Sequence, residues 1–557
     1  MKTLKYILIV AIAFGTFSCS EDFLDRQNLY GRLDDNYYQN EQEIGEALTG
    51  VYSILPVGPG MNQPTLLGIM LSPYFAGGGG VEDAVAHGCD AFEFSIEDAY
   101  INFWGEYYKG ILRVNMILKR FDQAVYEDET RRNQDLGEAH FLRAYLYFRL
   151  AQFFGTVPLI TNPAPVNYPR ASEEELFAQI ASDLKVACEI MPSTRVQNIP
   201  DERIGHATRW AAQGLMARVF LFYTGAYDAT ELPLVEGGSV TKSDVIGWLE
   251  DCINNSGHQL LTHYQSLWPY SSSYTNIPEY PYIYNTGISW ADETNSNYET
   301  VFAIKYNADG NHTNNYTLAR ANQLSLYVGV RDSYILPFGP GWGLGPALPA
   351  LWDVYDNDDE RKMGTLANAN DPESTAVEGT LDSLDISEYT GMHATGIFCK
   401  KYIPIWVPDA TGTLTNIWIL MGYTTADNLQ MINMQDEYVL RFADILLMAA
   451  ELESSNAQNY MDQVRSRAGL GSVPASLANI KKERLYEFAG EGLYYFDLLR
   501  WGDLASVFAS IPQITVSNAG TISSYKIQFK EDRKFLPVPE SQVRLSEGVL
   551  EQNPGWE

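Results

Sequence analysis

The sequence has few cysteines and no cysteine pattern. Only five of its 557 residues are cysteine, at positions 19, 89, 188, 252 and 399, widely spaced and without a C-x-x-C pair. Disulfide-rich domains and structural zinc sites need closely spaced cysteines, so neither is predicted. The stability of the protein must come from a packed core. A chain of this length with 46% hydrophobic residues can bury such a core in one large domain or two fused ones.

Positive charge is also scarce. The chain has 38 lysines and arginines against 70 aspartates and glutamates, a formal net charge of -32 at pH 7. A surface this acidic repels nucleic acid and anionic lipid. Neutral molecules such as unmodified sugars meet no such repulsion, so the charge balance favours an uncharged ligand and excludes nucleic acid as a partner.

Long apolar runs are absent except at the N-terminus. Lys2 and Lys5 precede an apolar run over 6–14 that is too short to span a bilayer, and the segment closes on Gly-Thr-Phe-Ser before Cys19. This order predicts a lipoprotein signal peptide over 1–18, with Cys19 as the acylated (palmitate-type) lipid anchor. An ordinary signal peptide, or a buried helix that contains a cysteine, is the alternative.

Acidic residues follow the predicted anchor directly. Ser20, Glu21 and Asp22 resemble the surface-export signals of some outer-membrane lipoproteins. We therefore expect residues 19–40 to form an anchor and tether on the outer membrane, exposed at the cell surface.

Catalytic motifs are missing. The chain contains no H-E-x-x-H, G-x-S-x-G or phosphate-binding loop, and the glycines of 339–345 do not complete G-x-G-x-x-G. His258 and His263 are five residues apart, which does not place them on one helix face, so a hydrogen-bonding role is favoured over metal binding. We predict no catalytic residue, no metal site and no cofactor. A glycoside hydrolase stays as an alternative, because a catalytic carboxylate pair cannot be picked out among 70 acidic residues.

Two charged segments look functional but are better explained as structure. The acidic stretch 353–361 lacks the sixth-position glycine and spaced glutamate of an EF-hand, so a solvated turn whose acids pair with Arg361 is favoured over calcium. Glu483, Arg484 and Glu487 lie within one helical turn, which favours salt bridges that fix a helix ending near Gly490 over acid–base chemistry.

Hydrophobic periodicity predicts a mainly α fold. Apolar residues recur at helical spacing on both sides of a region rich in Gly, Asn, Tyr, Trp, Ser and Thr. The pattern favours tetratricopeptide-like helix pairs, an α-α superhelix, over 41–257, and a loop-rich ligand-binding region with short strands over 258–435. A helical part with an extended tail follows over 436–557, packed with the rest as one compact unit, with Pro537 and Pro539 opposing helix in the tail. The predicted helices are 41–55, 101–122, 130–154, 172–190, 207–224, 243–254, 437–453, 457–468 and 479–490.

One segment carries a family resemblance. Residues 137–160, GEAHFLRAYLYFRLAQFFGTVPLI, resemble the hallmark helix and turn of the SusD/RagB family. Further matching segments occur in the same order: CSEDFLD at 19–25, ALTGVY at 47–52, the segment 107–115, ETVFAIK at 299–305, LRFADILLMAAE at 440–451, VRSRAGL at 464–470, ERLYEFAGEG at 483–492, FDLLRWG at 496–502 and QNPGW at 552–556.

The resemblance implies both a fold and a role. Family members have four tetratricopeptide-like units and lie as lids over a SusC-like, TonB-dependent transporter, binding glycans before import. By this resemblance the chain is a non-catalytic, glycan-binding subunit for polysaccharide utilisation. A RagB-like peptide-binding importer subunit is the alternative. The strongest family motifs are scaffold, so Arg143, Asp444, Arg465 and Arg500 are expected to hold the fold, whereas the sugar-contacting residues vary between members.

Sugar chemistry selects the candidate ligand residues. Sugar rings present apolar C–H faces edged with hydroxyls, so a binding surface needs flat aromatic rings and short polar side chains. We expect at least three of the aromatic residues of the loop-rich region to share one exposed face, although any single tryptophan there is as readily core. The aromatic candidates are Trp268, Tyr274, Trp290, Tyr327 and Trp342, and the polar ones are Asn285, Asn295, Asn322 and Arg331.

A second loop is predicted to contribute. Residues 72–83 contain four consecutive glycines, which are expected to give mobility beside Tyr74 and Phe75. Asp34 and Asp35, just ahead of the first helix, occupy a stretch that often reaches the ligand in the family, and capping of that helix is the equal alternative. Trp104 is assigned to the core.

Overall fold

The computed structural model describes residues 37–56, 63–93, 101–162, 164, 166–294, 296–307, 321–331, 335–369, 390–425 and 428–556. The predicted signal peptide, Cys19, Asp34, Asp35 and Asn295 lie outside these residues. Within them the chain is mainly helical with short strands, which confirms the predicted fold class.

The N-terminal part is built from helices. The six helices predicted over 41–257 are confirmed to within a few residues, and the structure adds two short helices over 64–70 and 84–91 that were not predicted. The bounds are α1 Glu41–Tyr52, α2 Pro64–Met70, α3 Ala84–Ala91, α4 Ile101–Arg120, α5 Glu129–Phe154, α6 Glu173–Ile190, α7 Arg209–Ala226 and α8 Lys242–Asn255.

Side chains that accept hydrogen bonds fix where these helices begin. Ser172 and Thr241 form capping boxes with Glu175 and Asp244, so each pair satisfies backbone N–H groups that have no partner inside the helix. Thr208 caps α7 by accepting from the amide of Ala211. These caps explain why the sequence alone located the helix starts closely.

Helix α5 lies at the centre of the N-terminal part. It packs against α4 and α6, and α6, α7 and α8 then pack in chain order. On its face towards α6, the Arg143 guanidinium donates to both carboxylate oxygens of Asp183, with Nη2 2.7 Å from Oδ1 and Nε 2.8 Å from Oδ2. This buried pair joins the two helices and confirms the expected scaffold role of Arg143. None of the described helices is long and apolar enough to cross a membrane.

The loop-rich region contains short helices and two-stranded ribbons. Strands β1 Leu232–Pro233 and β2 Ser239–Val240 form a hairpin before it. Within it lie β3 Thr300–Ile304, α9 Gln323–Val328, β4 Val330–Arg331, β5 Pro340–Gly341, α10 Pro349–Val354, α11 Glu360–Thr365, β6 Leu366–Asn368, β7 Ile397–Cys399, β8 Trp406–Pro408, β9 Leu414–Asn416 and α12 Ile417–Leu420. Strands β4 and β5 pair in parallel, and β6–β7 and β8–β9 pair antiparallel.

The C-terminal part begins with a strand, not with helix. The helix predicted over 437–453 is wrong in its first residues, because β10 Glu437–Arg441 pairs antiparallel with β3 before the helix starts. The following helices are α13 Phe442–Glu451, α14 Ala457–Arg467, α15 Leu477–Phe488, α16 Tyr494–Trp501 and α17 Leu504–Ser510. The tail contains a hairpin of β11 Ile514–Asn518 and β12 Thr521–Tyr525, and the short helix α18 Glu540–Leu545 begins directly after Pro539.

A buried ion network joins the loop-rich and C-terminal parts. Arg441, 1% exposed, donates to Glu299, Glu487 and Glu491 at 2.8–2.9 Å. Arg361 pairs with Asp359, Glu483 and Glu487 in the same interior. Since each carboxylate has a guanidinium partner, the desolvation cost of these charges is offset. The structural interpretation of the 483–491 segment is thereby confirmed, and Asp359 pairs with Arg361 inside the protein and not in a solvated turn.

The other predicted scaffold residues also make ion pairs. Asp444 accepts from Arg484 at 2.6 Å and also binds Arg218, Arg465 donates to Glu483 at 2.8 Å, and Arg500 donates to Glu451 at 2.5 Å. The free thiols of Cys89, Cys188, Cys252 and Cys399 are buried, as is Trp104.

Candidate ligand-binding site

Two loops that lie far apart in the sequence form one joined surface. The glycine-rich stretch 76–80 runs beside 343–347, with Ala76 N donating to Pro346 O, Gly79 N to Gly343 O and Gly345 N to Gly77 O, each at 2.9 Å. The four glycines were expected to make this loop mobile, but the structure gives them a different role. They allow close approach: Gly78 has φ +69°, and a Cβ there would lie 2.4 Å from Gly343 O.

This surface presents one exposed tryptophan. Trp342 is 37% exposed, whereas Tyr327 directly behind it is 1% exposed. Their ring centroids are 5.0 Å apart, and the amide of Trp342 donates to Leu326 O at 2.9 Å. Trp342 is therefore supported from within while part of its ring faces solvent, which is the arrangement that stacking against a sugar ring requires.

A charged pair stands at the edge of Trp342. Arg331 donates to the carbonyl of Trp342 at 3.2 Å through Nη1 and to Glu82 Oε1 at 3.1 Å through Nη2. Glu82 is exposed, and its pKa is lowered by a hydrogen bond from its own backbone amide and by Arg331. Arg331 thus links the two loops, and the pair places donor and acceptor atoms next to the backbone of Trp342.

The structure brings only part of the predicted set together. Trp342, Tyr327 and Arg331 lie at this surface. Glu82, which was not singled out, belongs to the predicted loop 72–83, and its place beside Arg331 had no sequence signal. Tyr74 lies in the same loop but is partly buried against Tyr494, at a ring distance of 5.8 Å.

The prediction that three aromatic residues share one exposed face is wrong for Trp268 and Trp290. Trp268 is completely buried and packs against Tyr438 at a ring distance of 5.3 Å. Trp290 is 4% exposed and packs edge-on against Trp418. Both fill the core of the loop-rich region, because the segments around them fold over their faces.

The remaining candidates divide between core and surface. Asn322 is buried, caps α9 and donates to Gln435 O at 2.7 Å, so it is structural. Asn285 is exposed with a left-handed φ of 58°. Tyr274 is 36% exposed and donates to Leu420 O at 3.0 Å. Tyr423, three residues after Leu420, is 58% exposed and had no sequence signal that selected it. In the described part of the chain, no group of three or more His, Cys, Asp or Glu side chains is arranged to hold a metal ion.

The fold and the site define a class: a scaffold of paired helices that carries an aromatic surface built from long loops. Two family models match the chain. The first, described as "Starch-binding associating with outer membrane", matches residues 23–221, and the SusD family model matches 351–556. The chain belongs to the SusD/RagB family.

Individual relatives agree over nearly the whole length. A SusD-like protein (P25) from Formosa agariphila is 23% identical over 99% of both chains. A SusD-like protein from Bacteroides ovatus is also 23% identical, over 89% of this chain and 82% of its own.

Solved structures show the same fold. A laminarin-binding SusD-like protein superimposes with a TM-score of 0.71 at 24% identity, covering 93% of this chain and 100% of its own. Surface glycan-binding protein A from Bacteroides thetaiotaomicron, in complex with laminarihexaose, gives a TM-score of 0.70 at 21% identity, covering 92% of this chain and 99% of its own.

Proposed function

We propose that this protein binds polysaccharide or oligosaccharide at the cell surface, without catalysing a reaction, and delivers it to a SusC-like TonB-dependent transporter of the outer membrane. The observation that carries the proposal is Trp342, a partly exposed ring that packs on Tyr327, with the Arg331–Glu82 pair bound at its backbone carbonyl. An exposed ring of this kind suits a chain-like ligand, whose sugar rings can stack on it.

The relatives support glycan as the ligand. Two of the superimposed structures are described by their binding of laminarin or laminarihexaose. Residues 222–350 lie between the two matched family models, and this range contains Tyr327, Arg331 and Trp342. The family models therefore cover most of the helical scaffold, whereas these three residues of the proposed ligand surface lie outside them, and we expect the glycan to be selected by the residues of this surface.

Anchoring and partnership complete the proposal. Acylation at Cys19 would place the body at the outer membrane, in agreement with the description of the first family model. A lid held there has its ligand surface within reach of a transporter, so capture and import are coupled by position and require no chemical step. The acidic surface, with a net charge of -32, suits neutral glycans.

Replacing Trp342 by Ala tests the ligand surface. We expect wild-type protein to be retarded in native gels containing its glycan, with laminarin and starch as the first to be cast. The Trp342→Ala variant is expected to bind roughly tenfold more weakly or worse, since exposed tryptophans carry a large share of binding energy.

The matched control is Trp248→Ala. Trp248 lies in α8, where it is partly buried against the core of the helical part. This variant should be retarded as strongly as wild type. Equal retardation of the Trp342→Ala variant and wild type, in a gel that retards wild type, would contradict the proposed site.

A further inference from the structure

A second cleft lies away from the Trp342 surface. It opens between the α6–α7 connection, residues 196–208, and strand β3, and its volume is about 250 Å³. No residue that lines it belongs to the loops around Trp342. It is large enough for a single sugar ring or an amino-acid side chain, and too small for a length of polysaccharide.

The floor of the cleft is built around Lys305. Gly205 has φ +91°, and a Cβ at this position would lie 2.6 Å from Lys305 Cγ, so only glycine lets the connection cross the lysine stem. Lys305 Nζ forms an ion pair with Asp436, and the lysine side chain keeps 46% of its surface exposed. The ammonium group of Lys305 is thus fixed at the cleft with one carboxylate as its partner.

The side chains that face the cleft carry more negative than positive charge. Arg203 is directed away to Asp135 and Glu138, and His206 Nδ1 lies 2.8 Å from Glu138. His258 adds no positive charge, because burial lowers its pKa to about 4. Among the described residues that line the cleft, Lys305 is therefore the cation that remains for Asp292 and Asp436 together, with the exposed Asp201 at the rim.

Asp292 is the second carboxylate of the cleft, and the ion pair of Lys305 is with Asp436 instead. Burial, and then the nearby Asp436, raise its pKa to about 6. Tyr438 Oη lies 3.3 Å from Asp292 Oδ2 but only 2.8 Å from Leu267 O, and a phenol has one proton to donate. Asn297 donates to Tyr438 Oη at 3.0 Å, and hydrogen bonds from Asn297 and Tyr438 to Asp292 oppose part of the rise in its pKa. Asp292 therefore has polar partners but shares its cation, because Lys305 is paired with Asp436.

His258 Nδ1 lies 2.9 Å from Tyr298 O, and the buried Nε2 of the same ring, which lines the cleft, has no hydrogen-bond partner among the described residues. A ligand that carries a positive charge and N–H groups can balance the carboxylates and donate to such an acceptor.

We propose that this cleft is a second ligand site that takes a small protonated primary amine, whose ammonium group binds Asp292 beside the Lys305–Asp436 pair. The added cation balances the second carboxylate, and its N–H groups can donate to the acceptors that line the cleft. An amino sugar and a lysine side chain of a partner polypeptide share this chemistry.

Calorimetry on the purified full chain tests the site, with glucosamine and Nα-acetyllysinamide as probes. We expect at least one of them to bind. N-acetylglucosamine keeps the sugar ring but loses the charge and is expected not to bind. Glucosamine alone would point to an amino sugar, and the lysine derivative alone to a polypeptide; either result supports the proposal. No binding of either amine overturns it.

Two substitutions at the cleft are expected to act in opposite directions. Asp292→Asn should weaken amine binding tenfold or more, because a charge-assisted hydrogen bond is lost. Lys305→Met removes the competing cation and should tighten it several-fold, a gain that damage to the fold would not produce. Asp353→Asn, an exposed aspartate outside the cleft, is the matched control and should bind like wild type.

The same experiment separates this site from the proposed function. The Trp342→Ala variant should bind the amine like wild type, and Asp292→Asn should keep its glycan retardation. Unchanged amine affinity in both the Asp292→Asn and Lys305→Met variants would overturn the second site and leave the glycan surface untouched.

Discussion

Lys400 carries its amino group into an aromatic interior. The residue is 2% exposed, and Nζ donates to Met363 O at 2.5 Å. Burial lowers the pKa of this lysine to about 7. Cation–π attraction offsets part of the desolvation cost, since four rings lie within 6 Å of Nζ. Their centroid distances are 5.6 Å for Tyr270, 5.9 Å for Tyr280, 4.1 Å for Tyr282 and 5.9 Å for Phe338.

The depressed pKa of Lys400 predicts a pH-dependent stability. Between the folded pKa of about 7 and an unfolded value near 10.4, the unfolded chain binds more protons than the folded one. The free energy of unfolding therefore rises with pH across this window. Lys400→Met should be more stable than wild type at pH 7 by roughly 1–3 kcal/mol, after the loss of the bond to Met363 is counted. This gain should shrink towards pH 10.

Urea unfolding at pH 7 and pH 9.5 measures this effect. Lys109→Met replaces an exposed lysine of α4 and is the control, for which the difference from wild type should be small and similar at both values. If the free energy of unfolding of Lys400→Met differs from that of wild type by the same amount at pH 7 and pH 9.5, the lowered pKa of Lys400 is contradicted.

The sequence shows where the aromatic residues lie, but it does not show which of them are exposed. Trp268 and Trp342 both belong to the loop-rich region, yet Trp268 is buried while Trp342 is exposed. The difference arises from which distant segments cover each ring. Trp268 lies under Tyr402 and Tyr438, and such contacts between remote segments leave no periodic signal in a region of loops.

At the scale of elements, the ligand surface depends on the joined loops 76–80 and 343–347. Gly78 has no space for a side chain, because a Cβ would lie 2.4 Å from Gly343 O and 2.5 Å from Pro346 Cδ. Gly78→Ala should displace the segment next to Trp342. We expect this variant to lose glycan affinity several-fold, measured by retardation in the glycan gel.

Gly237→Ala is the matched control for this change. Gly237 also has a positive φ, +87°, but a Cβ there would meet nothing within 4 Å. Both variants therefore carry backbone strain on the order of 1–2 kcal/mol, whereas only Gly78→Ala adds the collision at the loop. Equal affinity of the two variants would show that the contact between the loops does not position Trp342.

Elements with local signals could be predicted, and those that depend on distant partners could not. The helices with capping boxes at Ser172 and Thr241 were located closely, because the capping residue and the apolar positions of each helix lie close together in the sequence. The start of the predicted 437–453 helix is a strand because β3, far away in the sequence, supplies its hydrogen bonds. The short helices α2 and α3 are too brief for a helical period to be recognised.

At the scale of the whole molecule, the helical scaffold and the proposed ligand surface have different functions. The helices that match the family hold the fold through buried pairs such as Arg143–Asp183 and Arg500–Glu451. Of the proposed ligand residues, Tyr327, Arg331 and Trp342 lie between the matched ranges, and Glu82 lies within the first of them. Family membership could be inferred from sequence motifs, because each motif is a run of adjacent residues. The contact of Glu82 with Arg331 and the cleft at Asp292 join distant segments and required the structure.

The separation of tasks extends to the anchor. If Cys19 tethers the body and Trp342 captures the ligand, the two functions should fail independently. Cys19→Ala should abolish retention at the outer membrane, measured by fractionation and surface labelling of whole cells, while the released protein keeps its glycan affinity. Trp342→Ala should be retained at the surface but capture no glycan. Growth on the glycan should fall in both variants, for different reasons.

Gln27→Ala is the control for the anchor, because it lies in the predicted tether beyond the export signal, leaves the acylated sulfur in place and should keep surface retention. Two acyl chains or more are needed for stable membrane attachment, so loss of the one sulfur that bears them removes the whole anchor and not a part of it. A Cys19→Ala protein that stays in the outer-membrane fraction as fully as Gln27→Ala would contradict lipid anchoring. Retention would then have to come from contact with the transporter alone. That contact, and not the lipid, would hold the protein where the captured ligand is delivered.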